Sequence, residues 1–272
     1  MENISELAER LENWFTGIEK AAIALSGGID SSLVAFTARK KLGRENVIAV
    51  ISASASVKQR DLKDARSFTG VFDIPLQEID AREIDDPDYA KNPVNRCFFC
   101  KTALYDEMDR LIAENFPGYT VLNGNNYSDF GDYRPGLEAG SQHKVLSPLA
   151  ACKFTKDDIR TVARHYGLPN WSKPASPCLS SRFPYGENIT REKLKMVELA
   201  EDVLNDFGFD HVRVRYFSRT AKIEVPADRI QDLRKNFKKI RPRITSFGFD
   251  ECTIDAEGLV SGKLNRAIPG AK

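Results

Sequence analysis

No run of apolar residues in this 272-residue chain approaches the roughly 18 that would span a bilayer, so an integral membrane protein is not expected. Nor is there a surplus of either charge. Lys and Arg number 40 against 39 Asp and Glu, a formal net charge of +1, which leaves no global footprint for nucleic acid or an anionic membrane. The opening Met1-Glu2-Asn3-Ile4 has neither the basic start nor the apolar core of a secretory leader, and a cytoplasmic protein is expected. His143, His165 and His211 are widely scattered and suggest no metal triad. Repeats and low-complexity tracts are absent. Cysteine is scarce: there are five, an odd number, and in a reducing compartment structural disulfides are not expected. Two of them at CxxC spacing point to metal or sulfur chemistry instead.

What remains is the balance of a soluble globular protein, 42% apolar and 29% charged, long enough for a large domain and a smaller one. Ile4, Leu7, Ala8, Leu11, Phe15 and Ile18 recur at helical spacing. The run Ala21–Leu25 is short, wholly apolar and stops at Ser-Gly-Gly, as a buried parallel strand would. A helix over 31–42, strand 46–52, helix 58–69, strand 76–79, helix 101–115 and strand 120–122 follow, with a closing helix over 157–166 ended by Gly167 and Pro169. Strands alternating with helices predict an α/β fold, a Rossmann-like parallel sheet with helices on both faces. Residues 170–188 are rich in Pro, Ser and Gly and read as a long functional loop. Beyond it come a helix to Phe207, strands over 211–217 and 221–225, a helix over 228–237 and further strand over 244–254. The expected division is a nucleotide domain over 1–170, a cysteine-bearing loop over 171–189 and a small α+β domain over 190–272.

The string Ser26-Gly27-Gly28-Ile29-Asp30-Ser31-Ser32, directly after an apolar strand and before a helix, has the logic of a phosphate cradle. Glycines admit positive φ and close approach of an anion, and the helix N-terminus supplies amides and a favourable dipole. Ser26, Ser31 and Ser32 add hydroxyls, and Asp30 is placed to hold Mg²⁺ on the phosphates. The plainer reading is a glycine turn capped by Asp30 and Ser31. The Gly-Lys-Ser/Thr ending of the kinase and GTPase loop is missing.

The string instead resembles the PP-loop of the ATP pyrophosphatase superfamily, enzymes that cleave ATP between the α and β phosphates and transfer AMP to an oxygen of the substrate. Three further strings narrow the likeness: Gly124-Asn125-Asn126-Tyr127-Ser128-Asp129 with Asp132-Tyr133-Arg134-Pro135-Gly136; Leu146-Ser147-Pro148-Leu149; and the run from Trp171 to Gly186 containing Pro174-Ala175-Ser176-Pro177-Cys178-Leu179-Ser180-Ser181-Arg182. Together they resemble the LarE-type sulfur transferases over nearly the whole chain. The resemblance implies ATP and Mg²⁺, a pyridinium-3,5-biscarboxylate mononucleotide as substrate, and a homo-oligomer such as a hexamer. The activity it implies is adenylation of each carboxylate followed by displacement of AMP by sulfur, during synthesis of the nickel-pincer nucleotide cofactor of lactate racemase. It also makes the cysteine at position 178 either a sacrificial sulfur donor, its thiolate favoured by Arg182, or a cluster ligand. Cys97-Phe98-Phe99-Cys100, at the expected start of a helix, brings the thiols to three, a set suited to a [4Fe–4S] cluster with one open iron for sulfide, or to Zn²⁺. Cys152 and Cys252 lack a partner at ligand spacing and read as core cysteines.

Asn125 and Asp129 follow a strand's carboxyl end, where open α/β sheets bind ligands. Arg134 reads either as an anion clamp or as a surface arginine in a turn. Arg213 and Arg215 alternate along one strand face and, with Glu198, Glu224 and Asp228, resemble the family's stretch bordering substrate phosphate and a metal. Two other functions stay open. A PP-loop tRNA thiolase would share the cysteines but want extra zinc pairs or a basic RNA-binding domain, and no nucleic-acid partner is expected here. A non-catalytic adenine-nucleotide sensor would need only the loop.

Overall fold

The computed structural model describes residues 3–131, 135–260 and 262–267. Its first compact unit comprises residues 1–83 and 97–176, and its second residues 84–96 and 177–272.

The first unit is built on helix α1 (Ile4–Trp14), strand β1 (Ala21–Ala24), α2 (Ile29–Leu42), β2 (Val47–Ser52), α3 (Gln59–Val71) and β3 (Leu76–Ile79). It continues through α5 (Arg96–Asn115), β4 (Thr120–Leu122), α6 (Pro135–Gln142), α7 (Pro148–Ala151) and α8 (Lys156–His165), with the four-residue α4 (Pro87–Ala90) set apart in the second unit. The sheet is parallel, in the order β3-β2-β1-β4. Its central strands β1 and β2 are apolar on both faces because both are covered. Ala21 and Ile23 of β1, with Val47, Ala49 and Ile51 of β2, enter one core with α1, α2, α3 and α8. Ala22, Ala24, Ile48 and Val50 face Tyr105 and Met108 of α5 and Ala139 of α6 on the other side. The expected α/β fold is therefore present, and β3 and β4 occupy the expected residues. The chain builds outward from β1 through β2 to β3, then returns to the other side of β1 as β4. The carboxyl ends of β1 and β4 thus meet at the point where strand order reverses, the usual ligand crevice of such sheets.

The second unit contains α9 (Arg191–Asp206), β5 (Arg213–Phe217), β6 (Thr220–Glu224), α10 (Ile230–Thr245) and β7 (Glu251–Ile254). β5 and β6 are antiparallel, and β7 joins β6 in parallel. Residues 84–96 belong here through backbone bonds from Gly186 to Asn92 and from Ile189 to Ala90, at 2.9 and 2.8 Å, and an ion pair between Arg191 and Asp85. The strand expected over 244–254 is corrected: α10 runs on to Thr245 and only Glu251–Ile254 is extended. Ile240 and Ile244 continue the buried stripe of Ile230 and Leu233, and this burial outweighs the helix-breaking tendency of Pro242 within α10. Among the described residues no helix is long and apolar enough to cross a membrane.

Candidate active site

The loop after β1 is closed by its own hydroxyls. Ser31 Oγ accepts from the Ser26 amide at 3.0 Å, lies 3.0 Å from Ser26 Oγ and donates to the Gly28 carbonyl at 3.2 Å. Gly27 takes a left-handed φ of 72°. Gly28 caps α2 and has no side chain to bond the first-turn amides, an arrangement suited to an anion. Gly124, just beyond β4, is pressed on the same helix end: a Cβ there would lie 2.5 Å from Ser31 N and 2.8 Å from Ser31 Cα. The expected cradle residues Ser26, Gly27, Gly28, Ser31, Ser32 and Gly124 are thus brought together at the switch point.

Asp30 has a partner that the sequence did not suggest. Lys156 Nζ donates to both its carboxylate oxygens, at 2.7 and 2.6 Å. A lysine opening a helix is opposed by the helix dipole, and at α8 the Asp30 carboxylate offsets that cost. That misplaced charge was the only local signal, since the partners lie 126 residues apart. Beyond β4, Asn125 donates its amide to Asn123 Oδ1 at 3.0 Å. Asp129 is buried and accepts the Asn126 amide at 3.0 Å, so it shapes the loop. Arg134 lies outside the described residues, but Gly136 of the same string backs the CxxC turn, with a Cβ there 3.5 Å from the Cys97 carbonyl oxygen.

Cys97 and Cys100 stand one turn apart at the start of α5, Cys97 exposed and Cys100 half-buried. The two thiols stand at the spacing of a pair of soft metal ligands. Cys178 belongs to the second unit and is half-buried. Its loop is held by Arg182, which is 1% exposed. Arg182 Nε and Nη2 bond Glu201 at 2.8 and 3.1 Å, while Nη1 donates to the Pro177 and Cys178 carbonyls at 2.9 and 3.2 Å. All three nitrogens are committed to Glu201, the loop backbone and Ser181 Oγ, so these bonds position the cysteine's backbone and none of them reaches the thiol.

A cleft of about 150 Å³ in the second unit is lined by Arg96, Arg213, Arg215 and Lys263, with Phe183 and Tyr185. Arg215 is buried, its Nε on Glu224 at 3.0 Å and its Nη1 on the Ser181 carbonyl at 2.6 Å. Lys263 Nζ lies 3.0 Å from Asp255 and 3.3 Å from Glu224. Arg213 makes no hydrogen bond or ion pair among the described residues. Burial, then the neighbouring charges of Arg215 and Arg182, press its pKa below the ordinary guanidinium value. Arg213 is thus a half-buried cation with no direct ion pair among the described residues, and the carboxylates of Glu224 and Glu201 act on it only at longer range. The carboxylates expected to join it around a metal are not gathered: Glu198 pairs with Lys195, Glu224 is taken by Arg215 and Lys263, and Asp228 is exposed on a 3-10 turn. Among the described residues no group of three or more His, Cys, Asp or Glu is arranged to hold a metal.

A family profile described as NAD synthase matches residues 4–92. An uncharacterised protein of Synechocystis is 41% identical over 96% of this chain and 97% of its own length. The pyridinium-3,5-bisthiocarboxylic acid mononucleotide synthase of Lactiplantibacillus plantarum is 34% identical over 94% of this chain and 92% of its own. The chain belongs to the LarE-type family of ATP-dependent, adenylating sulfur transferases. This is a PP-loop family that uses ATP and Mg²⁺. A glutamine-hydrolysing GMP synthase of Bacillus mycoides is 26% identical over 80% of this chain but only 46% of its own length, a likeness at the level of the shared nucleotide fold. The hydroxyl-closed loop at Ser26–Ser32 lies within the residues matched by the NAD synthase profile.

Proposed function

We propose that this enzyme adenylates the carboxylates of pyridinium-3,5-biscarboxylate mononucleotide and converts them to thiocarboxylates for the nickel-pincer nucleotide. The observation that carries the substrate is Arg213, with no direct ion pair among the described residues, in a cleft with Arg215 and Lys263, which suits a phosphate monoester dianion. The relative in Lactiplantibacillus plantarum bears the name of a synthase for the matching bisthiocarboxylic product.

The substrate carboxylate attacks the α-phosphorus of ATP, pyrophosphate leaves, and the carboxyl becomes a mixed anhydride with AMP. Amides at the start of α2 and the hydroxyls of Ser26, Ser31 and Ser32 hold the phosphates. Asp30 would hold Mg²⁺, which would supply charge neutralisation at the phosphates, and Lys156 at its side is a cation for the departing pyrophosphate. Sulfur then attacks the carbonyl carbon and AMP leaves with the C–O bond electrons. Two sources fit the thiols. Cys178 can attack and afterwards lose its Cα proton and its C–S bond, leaving dehydroalanine. Alternatively, a [4Fe–4S] cluster on Cys97, Cys100 and Cys178 would supply an open iron for exogenous sulfide.

The test is pyrophosphate release with ATP and the biscarboxylate mononucleotide, with iron and sulfide assays after anaerobic reconstitution. Release that depends on the mononucleotide is expected. Release that depends on tRNA would make this a thiolase, and ATP binding without release would make it a sensor. About four irons per chain, lost in Cys178→Ala, select the cluster; no iron and dehydroalanine at position 178 select the sacrificial route.

A further inference from the structure

The segment that leads to Cys178 is tied to the nucleotide loop through one carboxylate. Asp61 lies in α3, and its carbonyl oxygen would stand 3.2 Å from a Cβ on Gly27, so the two backbones are in close contact. The Asp61 side chain is 11% exposed. Its Oδ1 accepts from Lys173 Nζ and its Oδ2 from Ser176 Oγ, both at 2.9 Å. Lys173 also donates to Asp64 at 2.8 Å. Burial opposes the Lys173 charge, but its bonds to Asp64 and Asp61 outweigh that and raise its pKa. Asn170 adds another tie, donating from Nδ2 to Ser32 Oγ of the nucleotide loop at 2.9 Å. Pro174 stiffens the stretch between the anchored Lys173 and Ser176. Ser176 precedes Cys178 by two residues, so anchoring it confines the Cys178 Cα to within about 7 Å of its own.

We propose that Asp61 is a positioning residue that couples the filled nucleotide loop to the placement of the cysteine-bearing segment, so that the acyl adenylate meets sulfur rather than water. The proposal rests on the sulfur-transfer reading. Its chemical content is a competition. Water attack on the carbonyl carbon expels AMP, returns the carboxylate and releases protons to solvent, consuming ATP without product; sulfur attack expels the same AMP and gives thiocarboxylate. A slackened segment leaves adenylation intact and shifts the competition toward water, because misplacement by about 1 Å can cost a reaction up to roughly a hundredfold.

The experiment measures AMP formed per thiocarboxylate formed, beside the rate of pyrophosphate release, in wild type, Asp61→Asn, Lys173→Met and the milder Ser176→Ala. The expected result is a ratio raised about tenfold in the first two variants and about threefold in Ser176→Ala, with pyrophosphate release within about threefold of wild type. An unchanged ratio across the variants overturns the proposal, as does a loss of pyrophosphate release that matches the loss of product. Amide exchange over residues 170–178, with and without ATP, reads the tie independently of any sulfur chemistry. ATP should slow exchange in wild type and leave Asp61→Asn unaffected; equal slowing in both also overturns it. A wild type that makes no thiocarboxylate, yet shows this difference in exchange, defeats the substrate reading and leaves the coupling standing.

Discussion

The nucleotide loop and the cationic cleft are built from opposite materials. The loop offers backbone amides, hydroxyls and a helix end, and its two charged groups, Asp30 and Lys156, cancel one another. The cleft offers side-chain charge. There Arg215 is balanced by Glu224, Arg182 is balanced nearby by Glu201, and Arg213 has no direct ion pair among the described residues. A site made of backbone depends on conformation and is damaged by an added atom, as at Gly124. A site made of guanidinium groups is damaged by removing one.

The sharpest break of this comparison is Asp30→Ala. If the carboxylate holds Mg²⁺, pyrophosphate release should fall by about a thousandfold, in line with the loss of a preorganised charge contact to a transferring group. If Asp30 serves only to hold Lys156, then Lys156→Ala will be the dead variant and Asp30→Ala will keep most of its rate. Measuring both under saturating ATP separates the roles.

In the second unit the same contrast predicts different currencies of loss. Arg182→Ala removes the guanidinium from Glu201, whose side chain is 5% exposed and keeps the Val214 amide, and breaking such a buried pair should cost about 3–5 kcal/mol in denaturant unfolding. Arg213→Gln should change stability by less than about 0.5 kcal/mol, because no pair is broken. It should instead raise the KM for the mononucleotide by roughly thirtyfold or more and leave the KM for ATP unchanged. A destabilised Arg213→Gln protein with normal KM would remove the anion seat and make the cleft a folding feature.

The sheet and the loop were legible because each is local. The apolar run Ala21–Leu25 stops at Ser-Gly-Gly, and Leu76–Ile79 and Thr120–Leu122 are bounded by breakers, so pattern alone places them. What the pattern missed was decided by partners far along the chain. Lys173 lies 112 residues from Asp61, and Lys156 lies 126 from Asp30. Neither lysine carries a motif of its own. The second half of α10 was lost to a different cause, since its basic run and Pro242 obscure the buried positions Ile240 and Ile244. In the sacrificial reading of Cys178 its thiolate is favoured by Arg182, yet the donors of Arg182 turn to the carbonyls of its own loop and to Glu201.

The smallest effect concerns the five thiols. Burial pushes Cys252 up to about 12 and raises Cys152 as well. At pH 8 the Cys252 thiolate is then about one molecule in ten thousand, since each unit of pKa above the pH is a factor of about ten. Iodoacetamide on the folded, metal-free protein should therefore modify Cys97, Cys100 and Cys178 and spare Cys152 and Cys252, as peptide mass mapping would record. Reconstitution with iron and sulfide extends the measurement. Protection of Cys97, Cys100 and Cys178 together, with Cys152 and Cys252 unchanged, means a shared centre. Protection of Cys97 and Cys100 alone leaves Cys178 as the reactive sulfur. A Cys178 as unreactive as Cys252 in the metal-free protein would deny both routes, because each needs that thiolate to be reached from solution.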